Sequence, residues 1–366
     1  YRIKAEAGCE QMLARTETLA IRLKAMRFAA KGAASRLLGV VLALGLAVSS
    51  SGMEPGGESG AYSDPVMQRA SDLIEWGRLK EARDLLANAV SQANNASNAA
   101  LLAYYAHVLV KFGELHAGLA TAKRAITLDA NCALCHLYLF EAMAERAKGI
   151  NQLRALVQLP KMKHQLEEAT RLDPNLGDVQ WGWIDLDLAL PATVGGSAKD
   201  AFVHADKLTQ IDPVDGRLAR ASILEFVHKD DQALAEYRAA ATEHPDDARG
   251  IFALGQALYA RGDHAGAAPY LQRALALNPE SALYSGYQAA NLVHLTKLEQ
   301  ARVVILAAQK VHPESRLGAY LVAQALHETG QDFVWAKQLL ALYLDVPPEP
   351  DQPSLADART LMSALG

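Results

Sequence analysis

Two thiols and an imidazole stand together in one stretch of this 366-residue chain, Cys132-Ala-Leu-Cys135-His136. C-x-x-C-H is the spacing of covalent c-type haem attachment, where both thiols add to the vinyl groups and the histidine becomes an axial ligand. A disulfide, redox or structural, fits the same spacing, because residues three apart on a helix lie near one face. Plain packing fits it too, since an unpaired cysteine behaves as a small hydrophobe. With only Cys9 besides, the chain has too few cysteines for a scaffold built from disulfides.

The other reactive residue types form no catalytic pattern. There is no H-E-x-x-H, no G-x-S-x-G, no P-loop and no G-x-G-x-x-G after a strand. The eleven histidines are scattered, with His136 and His164 the two worth following, and none stand at metal-ligand spacing. Trp181-Gly-Trp183 with Asp185 and Asp187 is an aromatic and acidic patch. It reads either as core-facing tryptophan with the charges turned outward or as a ligand site. The expectation is a chain that is not an enzyme and has neither cofactor nor metal.

Hydrophobic residues make up 51% of the chain and aromatics 6%, and alanine is frequent. That balance suits close-packed helices better than a sheet sandwich, because alanine favours helix and lets backbones approach. The net charge of −5 is unevenly spread: beyond residue 52 there are 28 basic and 38 acidic residues. An acidic body without a basic stripe excludes nucleic acid as the expected partner, and an anionic lipid surface with it.

The first 65 residues read differently. Met26-Arg-Phe-Ala-Ala-Lys31-Gly-Ala-Ala-Ser-Arg36 is short and basic, Leu37 to Val48 is continuously apolar or glycine, and Ala47-Val48-Ser49 offers small residues at an exit site. Together they look like a secretory signal peptide over 26–49. The apolar run would span about 18 Å as a helix, short of the roughly 30 Å hydrocarbon core, so no membrane span is expected in the mature chain. An uncleaved N-terminal anchor is the alternative. Residues 1–25 read as an over-extended start, and 50–65, rich in Ser, Gly and Pro, as a flexible tether. The expected location is the periplasm or the cell exterior.

Repetition organises the rest. Pro245, Pro279, Pro313 and Pro347 follow one another at intervals of 34 residues. The unit ending at Pro279 carries Leu254-Gly255, Leu258, Gly262, Ala267, Leu271 and Ala274. The unit ending at Pro313 carries Ala289, Leu292, Leu298, Ala301, Ile305 and Ala308, and that ending at Pro245 carries Ala221, Leu224, Ala233, Tyr237 and Ala240. Apolar residues three and four apart mark buried helix faces, small residues mark crossings, glycine ends the first helix and proline the second. Earlier units are looser: one through Leu73, Gly77, Leu79 and Leu86, one through Tyr105, Leu109, Gly113 and Ala122. Two longer ones, about 131–174 and 175–213, carry extra residues near Gly149–Leu159 and a break at Leu190-Pro-Ala-Thr-Val-Gly195-Gly196. Ser354 to Leu365 reads as a capping helix.

This pattern resembles the tetratricopeptide-repeat (TPR) family over about residues 66–350. The resemblance implies an all-α, right-handed α-solenoid of about eight TPR-like helical hairpins, with residues 66–366 as the solenoid and its cap. The longer unit at Gly195-Gly196 is similar to one in secreted bacterial TPR proteins, including periplasmic components that accompany solute transporters. TPR arrays bind ligands along the concave surface of their first helices. Matching positions here are His107, Lys111, Arg249, Phe252, Gln256, Tyr259, Tyr287, Val293, His294, Tyr320, Gln324 and His327. The set lacks the Lys/Asn clamp of chaperone-binding TPR domains. It implies a scaffold or adaptor for a protein or peptide in the cell envelope. The alternatives are a periplasmic solute-binding or transport-accessory protein, and haem electron transfer through Cys132, Cys135 and His136. Arg249→Ala with Tyr259→Ala is expected to weaken partner capture and leave thermal stability nearly unchanged, as exposed positions do to within about 0.5 kcal/mol.

Overall fold

Apolar residues three and four apart give each segment one buried stripe, and a lone short helix with such a stripe cannot hide it. Pairing supplies the cover, and stacking the pairs extends it. The computed structural model describes residues 64–366 apart from 93, 94, 96, 314 and 351. The expected leader and nearly all of the tether lie outside the described residues.

Eight hairpins follow in order. They are α1 (Pro65–Glu75) with α2 (Leu79–Ser91), α3 (Ala99–Lys111) with α4 (Leu115–Leu128), and α5 (Ala133–Lys148) with α6 (Gln152–Leu172). Next come α7 (Gly177–Ala189) with α8 (Ala198–Ile211), α9 (Pro213–Phe226) with α10 (Asp230–Glu243), and α11 (Ala248–Ala260) with α12 (His264–Leu277). The last are α13 (Ala282–His294) with α14 (Leu298–Val311), and α15 (Leu317–Thr329) with α16 (Phe333–Leu344). A final helix, α17 (Leu355–Ala364), covers the end. No strand occurs among the described residues, and none of the helices is long and apolar enough to cross a membrane. The chain is an all-α solenoid.

The landmark residues act as their chemistry demands. Pro245, Pro279 and Pro313 stand just beyond α10, α12 and α14. Gly77, Gly113, Gly262 and Gly330 turn the first helix into the second with positive φ, which a residue without Cβ adopts freely. His228 and Thr296 occupy the same turn with φ of 59° and 58°, against their steric preference. At the expected break, α7 stops at Ala189, one 3-10 turn spans Ala192–Val194, and Gly195 is left-handed. Ser354 caps α17 in a reciprocal box with Asp357.

Within a hairpin the contacts are small against large. Ala267, Leu271 and Ala274 of α12 pack on Ile251, Leu254 and Leu258 of α11. A fully buried Leu such as Leu271 is worth about 1.5–3 kcal/mol of transfer free energy. Tyr343 of α16 closes the C-terminal core with Ala358 of α17.

The array also returns upon itself. The turn after α1 meets the turn before α13: Trp76 O accepts from Ala282 N at 3.0 Å, and Tyr284 Oη donates to the Glu75 carboxylate at 3.2 Å. Arg69 and Arg78 reach Glu280 at 3.6 and 3.7 Å. The Glu349 carboxylate, from the segment after α16, accepts from Leu79 N (3.1 Å) and Lys80 N (2.8 Å) at the start of α2. The first hairpin thus touches the seventh and the tail of the eighth.

Candidate partner-binding face

First helices of successive hairpins pack side by side, α3 on α5 and α13 on α15. Equivalent positions therefore line up across hairpins, as the repeat requires. On α11, α13 and α15 this brings five of the expected residues into one connected row. Phe252 stands at its edge, stacked on Tyr284 at 4.2 Å and edge-on to Tyr287 at 5.4 Å. Gln256 hydrogen-bonds Tyr287, whose burial raises the phenol pKa. Tyr259 meets Tyr287 edge-on at 5.6 Å and shares a hydrogen bond with His294 Nε2 at 3.3 Å. His294 Nε2 lies 3.4 Å from Glu328, to which Gln324 also donates at 2.8 Å. Burial works to raise the Glu328 pKa, but the His294 and Gln324 hydrogen bonds outweigh it and lower the carboxyl. Gln256, Tyr259, Tyr287, His294 and Gln324 are all half-buried, so each keeps some surface for a ligand.

Four contributors to this row were not legible beforehand. His264, at the start of α12, stacks flat on His294 at 3.9 Å and bonds Asn291 at 3.1 Å. Burial, then the neighbouring His294, lowers its pKa. Asn291 returns a bond to His264 O. Tyr284 and Glu328 lie three residues before Tyr287 and four after Gln324, a spacing that could have placed them on the same faces.

Other expected positions are elsewhere. Arg249 does not line an open groove: it is only 5% exposed. Its guanidinium reaches Asp247 at 2.6 Å, Asp212 at 2.9 Å and Asp215 at 3.1 Å. Asp212 caps α9 and Asp247 caps α11, so Arg249 ties two helix N-termini together. One cation faces three carboxylates there. Burial pushes the Asp215 carboxyl up to about 8, and Arg249 offsets only part of that. Val293 is fully buried, and Tyr320 is buried against Tyr343 at 5.2 Å in the C-terminal core. His107 is buried between the rings of Tyr104 and Tyr138 and bonded to Glu141 through Nδ1. Lys111 and His327 are half-buried at helix ends. Helical spacing fixes a residue's direction but not how closely the next hairpin approaches, and at these positions it approaches closely.

The C-x-x-C-H stretch does not suit haem. Cys132 and Cys135 are joined as a disulfide across the first turn of α5, with Cα atoms 5.2 Å apart. Cys135 is fully buried, and Cys132 Sγ also accepts from Cys135 N at 3.1 Å. Both ring nitrogens of His136 are engaged, Nδ1 with Gln165 Oε1 at 2.8 Å and Nε2 with Ala130 O at 3.0 Å. No thiol pair or free imidazole nitrogen is offered to an iron porphyrin.

The tryptophan patch is mostly structural. Trp183 donates to Thr170 at 3.0 Å and stacks on His204 at 5.5 Å, and Trp181 packs partly buried against the neighbouring cores. Asp187 is turned inward rather than outward, 3.9 Å from His204 Nε2. Burial raises its carboxyl to about 6 and lowers His204 to about 4.

Residues 248–281, the hairpin of α11 and α12, match the family model of the tetratricopeptide repeat. None of the curated proteins matches the chain. Among solved structures, yeast Tom70 is similar at 16% identity, over 97% of this chain and 74% of that one, with a TM-score of 0.57. At that identity the likeness is one of fold. A thermophilic TPR protein in Thermus thermophilus matches 53% of this chain and 97% of its own at 19% identity and a TM-score of 0.44. A tetratricopeptide repeat protein from Parabacteroides merdae matches 71% of this chain and 97% of its own at 15% identity and a TM-score of 0.42.

Proposed function

We propose that this chain is a non-catalytic scaffold that holds a peptide segment of a partner protein against α11, α13 and α15. The observation that carries the reading is the row Gln256, Tyr259, Tyr287, His294 and Gln324. These are half-buried aromatic and amide groups on successive first helices. Tyrosine rings bring large contact area at low entropic cost, and amides pair with a peptide backbone. The basic and apolar stretch at 26–49 supports export to the periplasm or cell exterior, and the Cys132–Cys135 disulfide suits an oxidising compartment.

The test uses a displayed random-peptide library selected on the purified protein. Tyr259→Ala with Gln324→Ala should weaken the selected peptides by roughly 5- to 30-fold, as loss of one or two binding hot spots does, with the circular dichroism unchanged. Peptides bound equally well by that variant would remove the row from the binding surface. For export, N-terminal sequencing of the envelope-fraction protein should begin near Ser50. Intact residues 26–49 on cytosolic protein would overturn it.

A further inference from the structure

One junction in this solenoid differs from every other. Adjacent hairpins are joined by buried alanine, leucine and aromatic side chains. Where the first hairpin meets the seventh and the tail of the eighth, Leu283 lies against the Gly77 turn but the bonds are polar: the Trp76–Ala282 backbone bond, Tyr284 on Glu75, Arg69 and Arg78 on Glu280, and Glu349 on the start of α2. None of the buried apolar clusters of the described residues spans it. Such a junction opens at low free-energy cost compared with the stacked layers, because separating it exposes little apolar surface.

His312 sits at this seam, one residue beyond α14. It is 3% exposed and lies against the backbone of Glu280 in the turn before α13. The charged groups that face the ring are Arg78 and Glu81 from the first hairpin and Glu280 from the turn before α13. Glu81 and Arg78 bind each other at 2.6 Å, so the acid is already committed.

We propose that the seam is a proton-operated clasp, held shut around neutral His312 and released when that ring takes a proton. Burial and then the Arg78 guanidinium lower the proton affinity of His312 in the closed ring, while Glu81 and Glu280 recover only part of it. With the seam open the ring is hydrated and regains its ordinary value, near 6.5. The sign follows: the open form binds the proton better, so closure is strongest well above pH 6.5 and weakens as pH falls through that value. Opening parts the α1–α2 turn from Glu280–Tyr284 and frees the inner surface of the ring at that point. The clasp belongs to the ring itself and works whatever the inner face binds.

Hydrogen exchange tests it on the full chain. The amides of Leu79, Lys80 and Ala282 are bonded across the seam, so their protection reports closure directly. After correction for the intrinsic rate, protection at these three should fall several-fold, up to about tenfold, between pH 7.5 and 5.5, while Leu258 inside α11 is unaffected. His312→Gln should hold the seam amides protected at both pH values, and His312→Leu should do the same if the first variant folds poorly. Glu349→Ala, which removes an acceptor without touching His312, should lower protection at both pH values. Constant protection in the unaltered chain, or a fall that persists in both His312 variants, would overturn the clasp.

Discussion

Arg249→Ala tests how far the buried charge cluster holds α9 to α11. The side chain is almost wholly enclosed, and its loss strands the carboxylates of Asp212, Asp215 and Asp247, with side-chain exposures of 22%, 3% and 17%. Removing one partner of a buried ion pair costs about 3–5 kcal/mol, because the remaining charge is left uncompensated in a poor solvent. An exposed arginine would cost about 0–1 kcal/mol. The two magnitudes separate cleanly in urea unfolding followed at 222 nm. The loss should also depend on pH. Burial already holds the Asp215 proton up to about 8, and without Arg249 the proton is held more tightly still. A group with a raised folded pKa contributes stability at low pH and loses it as pH rises through that value. The difference between the variant and the unaltered protein should therefore stay level from pH 5 to 7 and widen as pH rises through and beyond 8. Asp215→Asn added to Arg249→Ala should recover part of the loss above pH 8, where the buried Asp215 would otherwise have to ionise. A cost under about 1 kcal/mol at pH 7.5, or one that does not grow above pH 8, would refute the account of Arg249 as a tie between helix ends.

Three further outcomes are expected. Reducing the Cys132–Cys135 disulfide, or replacing both residues with alanine, should leave the helix content intact and lower stability by about 1–2 kcal/mol, since the closed loop is very short; the purified protein should show no Soret band even when made alongside haem-attachment machinery. Glu141→Leu should destabilise by about 1–3 kcal/mol by leaving the buried His107 nitrogen unpaired, and adding His107→Phe should recover part of it, read from urea midpoints. Thr296→Gly should stabilise by about 0.5–1 kcal/mol, because relief of a left-handed β-branched residue exceeds the added chain entropy; a lower unfolding midpoint would show that the Thr296 side chain has an unrecognised role.

The solenoid was legible in the sequence because its determinants are local. Proline at intervals of 34 and glycine at the hairpin turns act within a few residues, and the structure ends and turns its helices at those points. The row from Gln256 to Gln324 was legible for a related reason: translation by one repeat carries each position onto its neighbour. Arg249, Val293 and Tyr320 share that register yet are buried, because exposure depends on how closely the next hairpin lies. The partners of Arg249 at Asp212 and Asp215 are more than thirty residues away, a distance at which spacing says nothing. The seam is the extreme case, since Glu349 and Leu79 are 270 positions apart.

That closure changes what the number of hairpins means. In an open stack, gaining or losing a unit only lengthens or shortens the rod. Here Trp76 must arrive opposite Ala282, five whole hairpins and parts of two others later, so each intervening unit contributes a fixed share of one rotation. Deleting a hairpin would bring the wrong edge opposite Arg78, and duplicating one would carry Glu280 past it. The longer third and fourth units take part in the same sum, since their extra length helps set where the circuit ends. Repeat count, ordinarily the freest parameter of a solenoid, is in this chain as constrained as a bond angle in a small ring.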